Sequence, residues 1–329
     1  MRALVTGANG FVGAALCRLL LDKGWHVKGL VRKTSDLSLL EGMNVEKVYG
    51  SLHDKESLKT ATDSVDVVFH AAAKVSDWGT LEDFRKVNVE GTRNLIESSV
   101  ESRAGRFVYI SSVAVHNFTG AKNMNENSPQ FKTRHAYCQS KREAEALVIQ
   151  YQKNRLIDVT IIRPGDIYGP GDRTSLLKMQ KMLKNGMMGL IGGGRKLGAF
   201  TYVENLVHGI FLAGTKKEGI GKTYVITDGV EMTWKEYFLK LTKAIGVPGP
   251  RFSLSPFLAW GISYSLDFLY KALRIKTRPP LTVYLVDHLT HDFHFSIEKA
   301  KNELGYEPVF SVDEAVSRTA QWFNEVTNN

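Results

Sequence analysis

The chain has 329 residues, which suits two domains of ordinary size or one large α/β domain with insertions. At 43% hydrophobic, 10% aromatic and 23% charged residues it can bury a sizeable core, and the composition excludes a disordered protein. Its 43 Lys and Arg against 34 Asp and Glu give a net charge of +9 spread along the chain. That spread favours anionic small molecules or surfaces as partners and argues against nucleic acid, whose binders carry a focused basic patch.

Six short runs rich in Val, Ile, Leu, Phe and Tyr predict strands at Arg2–Val5, Val27–Val31, Val45–Tyr49, Val67–His70, Phe107–Ile110 and Val159–Ile162. Between them Phe11–Lys23, Leu81–Val100 and Tyr137–Lys153 carry apolar residues at helical spacing. Strands apolar throughout, separated by helices, predict an α/β fold: a Rossmann doubly wound parallel sheet covered on both faces. After Arg163-Pro164 the glycine and proline turns at 169–171, 192–194 and 248–250 announce a smaller, irregular C-terminal α/β part. Residues 1–167 are therefore expected to form the dinucleotide-type domain, with 201–228 returning to it. Residues 168–200 and 229–329 are expected to form the substrate part.

Met1 leads directly into the first strand, so no signal peptide is expected. Cys17 and Cys138 are the only cysteines, too few for a disulfide framework, and they suit a reducing, cytoplasmic setting. The apolar stretch Phe257–Ile275 is interrupted by Ser263, Ser265, Asp267 and Lys271, too polar for a membrane span. Its aromatic and aliphatic side chains suit a pocket lining, the core of the smaller domain, a dimer face or a membrane-surface element. The neighbouring Lys271, Arg274, Lys276 and Arg278 suit an anionic membrane surface or the phosphates of a thioester.

Thr6-Gly7-Ala8-Asn9-Gly10-Phe11-Val12-Gly13 joins the first strand to the first helix. The glycine spacing serves three needs: Gly7 turns tightly, Gly10 admits a pyrophosphate to the backbone, and Gly13 lets helix pack on strand. The helix N-terminus then presents free N–H groups and its positive dipole end to phosphate. The second strand ends in Arg32-Lys33-Thr34-Ser35, where NAD enzymes usually carry a carboxylate for the ribose 2′-hydroxyl. Two cations and two hydroxyls suit a 2′-phosphate, so NADP is expected over NAD unless Asp36 reaches back.

Tyr137 and Lys141 stand four apart on one helical face. A free phenol titrates near pKa ~10, and a neighbouring ammonium together with a cationic oxidised nicotinamide is expected to pull it down. Ser111-Ser112 ends the fifth strand, on the edge where doubly wound sheets bind ligands, so Ser112 is expected to meet Tyr137. A helix-capping role for Ser112 stays open.

With His70-Ala71-Ala72-Ala73, Asn88-Val89-Glu90-Gly91-Thr92 and Arg163–Gly171 added, the order of motifs resembles the extended short-chain dehydrogenase/reductases, the NAD-dependent epimerase/dehydratase superfamily. Thr201–Leu206 and Ala300–Tyr306 extend the resemblance over nearly the whole chain. It implies that Thr6, Gly7, Asn9, Gly10, Phe11, Val12 and Gly13 surround the pyrophosphate and that Ala71, Ala72, Ala73 and Lys74 line the cofactor. It implies further that Pro164 and Ile167 border the nicotinamide, while Lys141 bonds its ribose and lowers the Tyr137 pKa. Tyr137 exchanges a proton with substrate oxygen, Ser112 orients that oxygen, and Asn88 supports the strand ends. The family's Gly-Asp-Leu at the adenine reads Gly50-Ser51-Leu52 here, which leaves that contact to Ser51, Leu52 or backbone.

Ala73-Lys74 and Asp77-Trp78-Gly79 look most like dihydroflavonol-4-reductase-like and 3β-hydroxysteroid dehydrogenase-like enzymes, and also like 2-alkyl-3-oxoalkanoate reductases. The resemblance thus implies hydride transfer between an NADP-type cofactor and a bulky apolar ketone or alcohol, in a homodimer. A nucleotide-sugar epimerase or dehydratase retaining NAD, and a non-catalytic redox sensor, are the alternative readings.

Overall fold

The computed structural model describes every residue except Thr119, Thr174, Lys178, Met187 and Asn329. In chain order its elements are β1 (Arg2–Thr6), α1 (Phe11–Asp22), β2 (His26–Val31), β3 (Glu46–Tyr49), α2 (Lys55–Thr62), β4 (Val67–His70), α3 (Leu81–Arg85) and α4 (Gly91–Glu101). Then come β5 (Arg106–Ile110), α5 (Ala136–Lys153), β6 (Asp158–Pro164), β7 (Asp166–Tyr168), α6 (Gln180–Lys184), β8 (Gly189–Ile191), β9 (Phe200–Tyr202), α7 (Val203–Thr215) and β10 (Lys222–Ile226). The chain ends with α8 (Trp234–Ile245), β11 (Phe252–Leu254), α9 (Pro256–Ala272), α10 (Val283–Thr290), α11 (Glu298–Leu304) and α12 (Val312–Asn328).

Seven strands form one wholly parallel sheet in the order β10-β6-β5-β4-β1-β2-β3. All six strands expected from their apolar runs are in it, and β10 is the seventh. The apolar runs are continuous because both faces are covered. One face packs on α1, α7 and α11 through Leu16, Leu20, Leu206, Ile210 and Leu304. The other packs on α2, α4 and α5 through Leu58, Leu95, Ile96, Ala144 and Val148. The chain order reverses between β1 and β4, and the crevice beyond their carboxyl ends is where open parallel sheets bind ligands.

A separate core builds the C-terminal part, from Tyr168, Phe200, Tyr237, Phe238, Leu241 and Phe323. Two short parallel pairs, β7–β9 and β8–β11, brace it. The segment at Phe257–Ile275 does not contribute to that core. Of α9 only Ala259 and Ser263 are buried, so the reading of this stretch as a domain core falls.

Candidate active site

The register of the sheet sets Thr6 beside His70 at the crossover of β1 and β4. Their side chains meet, Thr6 Oγ1 to His70 Nδ1 at 2.8 Å, and His70 Nε2 reaches Thr92 Oγ1 at 2.8 Å. The Thr92 hydroxyl donates to the Asn88 carbonyl, and Thr6 Oγ1 accepts the Ala72 N–H. These directions require Nε2 of His70 to carry the proton and Nδ1 to accept. Burial, with the charge of Lys141, pushes His70 down to about 3, so it is a neutral pin between β1, β4 and α4.

Gly7 stands at φ +66°, and a Cβ there would lie 3.0 Å from the Ala72 Cα. At Gly13 a Cβ would lie 2.0 Å from the Gly7 carbonyl oxygen, so only glycine lets α1 start this close to β1. Gly10 begins α1 with no side chain to cap it, and its own N–H donates to Gly7 O at 2.9 Å. The first-turn amides of α1 therefore begin beside Ala72 with no side chain capping them, an arrangement that could hold a dinucleotide pyrophosphate. Phe11 and Val12 are half-buried beside it, and the Phe11 ring packs against the Gly171 turn.

At the carboxyl end of β2, Arg32 and Lys33 are exposed and make no ion pair among the described residues. Asp36 does not reach back. Its carboxylate accepts from Ser38 N and Oγ at 2.9 and 2.7 Å and from Arg173 at 2.5 Å, while Asn9 Nδ2 donates to its carbonyl. Ser51 is half-buried and Leu52 buried where β3 ends, with Leu52 O held by Asn94 Nδ2 at 2.8 Å. Ala71 and Ala73 are half-buried along the loop after β4. The Lys74 ammonium turns to Asp83 at 3.6 Å and lies over the Phe84 ring, so its side chain is engaged with α3. Pro164 is buried at the end of β6, and half-buried Ile167 lies in β7.

Ser112 and Tyr137 come together. Both are half-buried, and the Ser112 hydroxyl lies near enough to the Tyr137 phenol to lower its pKa against burial. The capping role is present as well: Ser112 Oγ accepts the Ala114 N–H at 3.1 Å and opens a 3₁₀ turn. Lys141 is buried one helical turn beyond Tyr137, its ammonium donating to Ile110 O at 2.7 Å and lying 4.6 Å from the Tyr109 ring centre.

In the protein alone, burial pushes the Tyr137 phenol up to about 12, and the Ser112 hydroxyl opposes that only in part. Lys141 is itself lowered to about 7 by burial, against the charge of Glu145. An ammonium directed at a carbonyl and an aromatic face, and half-neutralised near pH 7, is a weak source of field at the phenol.

Asn88 does more than support strand ends. It lies in a π-helical turn, Lys86–Glu90, that joins α3 to α4. Its Oδ1 accepts Lys74 N at 2.7 Å, while Nδ2 donates to Lys74 O and to Ser140 Oγ. Ser140 in turn donates to Tyr137 O at 2.8 Å. The loop after β4 is thus stapled to the turn that carries Tyr137.

Beneath the site lies a buried network that the sequence reading missed. Ser111 Oγ donates to Glu145 at 2.7 Å, Glu145 pairs with Arg163, and Arg163 reaches His116 at 3.0 Å and Glu126 O at 2.9 Å. The signal was available: Glu145 follows Lys141 by four, among Ala144, Leu147 and Val148, which are all buried. From the C-terminal part, Tyr284 sets its ring 6.4 Å from Tyr137, with Phe118 and Phe293 behind it. Asp166 and His288 approach each other to 3.1 Å near the same wall. Burial pushes both Cys17 and Cys138 up to about 12, so neither is a nucleophile.

The 3-beta hydroxysteroid dehydrogenase/isomerase family model matches residues 4–255. A 2-alkyl-3-oxoalkanoate reductase of Stenotrophomonas maltophilia is 32% identical, over 97% of this chain and 98% of its own. A 3-beta-hydroxysteroid dehydrogenase of Mycolicibacterium neoaurum is 31% identical, over 99% and 92%. A dTDP-glucose 4,6-dehydratase of Streptomyces venezuelae, solved with NAD bound, shares the fold at a TM-score of 0.80 and 24% identity, covering 100% of this chain and 98% of that one. A Rossmann sheet with a pyrophosphate cradle, in a chain matched by these sequences over nearly its full length, leads to one conclusion: the protein belongs to the 3-beta hydroxysteroid dehydrogenase/isomerase family of extended short-chain dehydrogenase/reductases and is an NAD(P)-dependent oxidoreductase of the hydroxyl/keto kind.

Proposed function

We propose that the protein is an NADP-dependent reductase that interconverts a ketone and a secondary alcohol on a bulky, largely apolar molecule. The observation that carries this reading is the Ser112–Tyr137 hydroxyl pair, half-buried at the carboxyl edge of β5 and walled by Tyr284, Phe118 and Phe293. Exposed, unpaired Arg32 and Lys33 beside an engaged Asp36 support the 2′-phosphate. Relatives named as a 3-oxoalkanoate reductase and a hydroxysteroid dehydrogenase support the substrate class.

In this reading Gly7, Gly10 and Gly13 with the amides of Phe11 and Val12 hold the pyrophosphate. Thr6, Asn9, Ser51, Leu52, Ala71, Ala72, Ala73 and the Lys74 backbone flank the rest of the dinucleotide, and Pro164 and Ile167 border the ring. When bound, that ring supplies or accepts a hydride at the substrate carbon. A phenol held at about 12 is protonated at neutral pH, the form that donates to a ketone oxygen, so Tyr137 acts as acid in reduction. Ser112 orients the same oxygen and stabilises the alkoxide as it forms. Lys141 holds the ribose and the proton balance of the pair.

Residues 168–200 and most of 229–329 supply the substrate-binding part and residues 1–167 with 201–228 the cofactor part, with α11 departing from the expected boundary because Ala300 and Leu304 pack on the main sheet. Two buried free cysteines suit a cytoplasmic enzyme. Half-buried Val87, Val89, Ile149 and Tyr151 along the α4 and α5 region suit a homodimer face, which sedimentation would test.

The test is a panel of apolar ketones, β-keto acyl compounds and steroids assayed by NADPH oxidation, in wild type and Tyr137→Phe. The expected result is turnover that the variant loses by about 10²–10⁴-fold with dinucleotide affinity unchanged. Full turnover in the variant, or a tightly held NAD that is never consumed, would overturn the proposal.

A further inference from the structure

Helix α9 is built inside out. Ser255 caps it, Oγ accepting Leu258 N at 3.3 Å, and Pro256 sits in its first turn, so it begins as a well-formed helix. It docks through small residues: Ala259 and Ser263 are fully buried, and Trp260 Nε1 donates to Asp287 at 2.9 Å. Its bulky apolar side chains point the other way. Phe257 is 87% exposed, Phe268 76% and Leu273 62%, with Leu258, Ile262 and Leu269 exposed between them. At 100° per residue these six fall on one half of the helix and its C-cap, an exposed, mainly apolar face interrupted by Gly261 and Ser265.

A basic edge adjoins that face. Lys271 is exposed beside Asp267, and Arg274 and Lys276 just beyond the helix are exposed with no ion pair among the described residues. No helix among the described residues is long and apolar enough to cross a membrane. An apolar face flanked by cations is complementary to a bilayer interface that offers hydrocarbon below and negative headgroups beside it.

We infer that α9 docks the enzyme on an anionic lipid surface, lying in the interface with Phe257, Phe268 and Leu273 inserted. The helix is also tied to the site. Asp287 holds Trp260 and, at 3.0 Å, His135, two residues before Tyr137, while Tyr270 packs edge-on against Trp78 at 6.1 Å. The helix is therefore connected through Asp287 to the start of α5, the helix that carries Tyr137. This inference stands independently of the assigned reaction.

The test is co-flotation of the full chain with phosphatidylcholine vesicles, with and without phosphatidylglycerol, at low and high salt. Binding is expected with phosphatidylglycerol and is expected to weaken in high salt. The double variant Phe257→Glu/Phe268→Glu should lose partitioning at least about tenfold while keeping its circular dichroism spectrum. Arg274→Glu and Lys276→Glu, at exposed positions, should each weaken it about fivefold. Wild-type protein that stays with the aqueous fraction in both vesicle types overturns the inference. So does concentration-dependent self-association that the Phe257→Glu/Phe268→Glu change abolishes, which would make the face a contact between copies.

Discussion

The buried pair Glu145–Arg163 lies beneath Ser111 and the proposed Ser112–Tyr137 site, and Glu145→Gln tests whether it supports that site. The two side chains are 2% and 5% exposed, and Arg163 also reaches His116 and Glu126 O. Burial raises the Glu145 carboxyl, but the Arg163 guanidinium and the Ser111 and Gln130 hydrogen bonds outweigh it and hold the group below its usual range. An amide of the same shape keeps an acceptor for Ser111 and leaves the guanidinium without a counter-charge. Breaking a buried pair from one side costs about 3–5 kcal/mol. At roughly 2 °C per kcal/mol for a chain of this size, Tm should fall by about 6–10 °C. Glu145 also raises Lys141 against burial, so its loss should carry Lys141 below about 7. The high-pH limb of kcat/KM for ketone reduction should then move to lower pH. Thermal melts and a pH–rate profile of the same preparation read both effects. An unmoved Tm would refute the energetic reasoning, and a lowered Tm with an unmoved limb would reduce Glu145 to a purely structural role.

Because Lys141 is held at about 7 and Tyr137 at about 12, the pair loses its first proton from the lysine. Ketone reduction, which uses the fully protonated pair, should fall as pH rises through about 7. Alcohol oxidation, which uses the pair one proton short, should rise over the same range; parallel rather than opposed limbs in steady-state profiles would contradict this. Arg32→Asp should weaken NADP binding by about 10–150-fold, the loss of a charged hydrogen bond, and shift preference to NAD; equal titration of both cofactors with wild type and variant would remove Arg32 from recognition. Gly13→Ala places a Cβ 2.0 Å from Gly7 O, so dinucleotide binding measured by fluorescence should collapse together with a lowered Tm. A variant that binds normally would show that the cradle is not built on that contact.

Much of this site was readable from residue order. The first strand, the glycine turn and the first helix are contiguous, so spacing alone predicts a cradle, and the structure builds it with Gly7 at positive φ. Tyr137 and Lys141 share a helical face because 3.6 residues make a turn. The orientation of the lysine is another matter: whether its ammonium faces the phenol or the Ile110 carbonyl depends on a strand 31 residues away. The Glu145–Arg163 network joins partners 18 apart, and the Arg173–Asp36 contact partners 137 apart, so while Glu145's place on a buried helical face is readable, its partner is not.

Helix α9 marks the boundary most clearly. Apolar periodicity identifies a helix with an oily face, but it does not say whether that face looks inward. By itself the residue order determined the strands, the glycine turn and the pairing of Tyr137 with Lys141 on one helical face, since those follow from short-range backbone preference and spacing. The tertiary structure alone decided the pKa values of Tyr137 and Lys141 and the outward face of α9, because burial and charge depend on what the rest of the chain brings alongside.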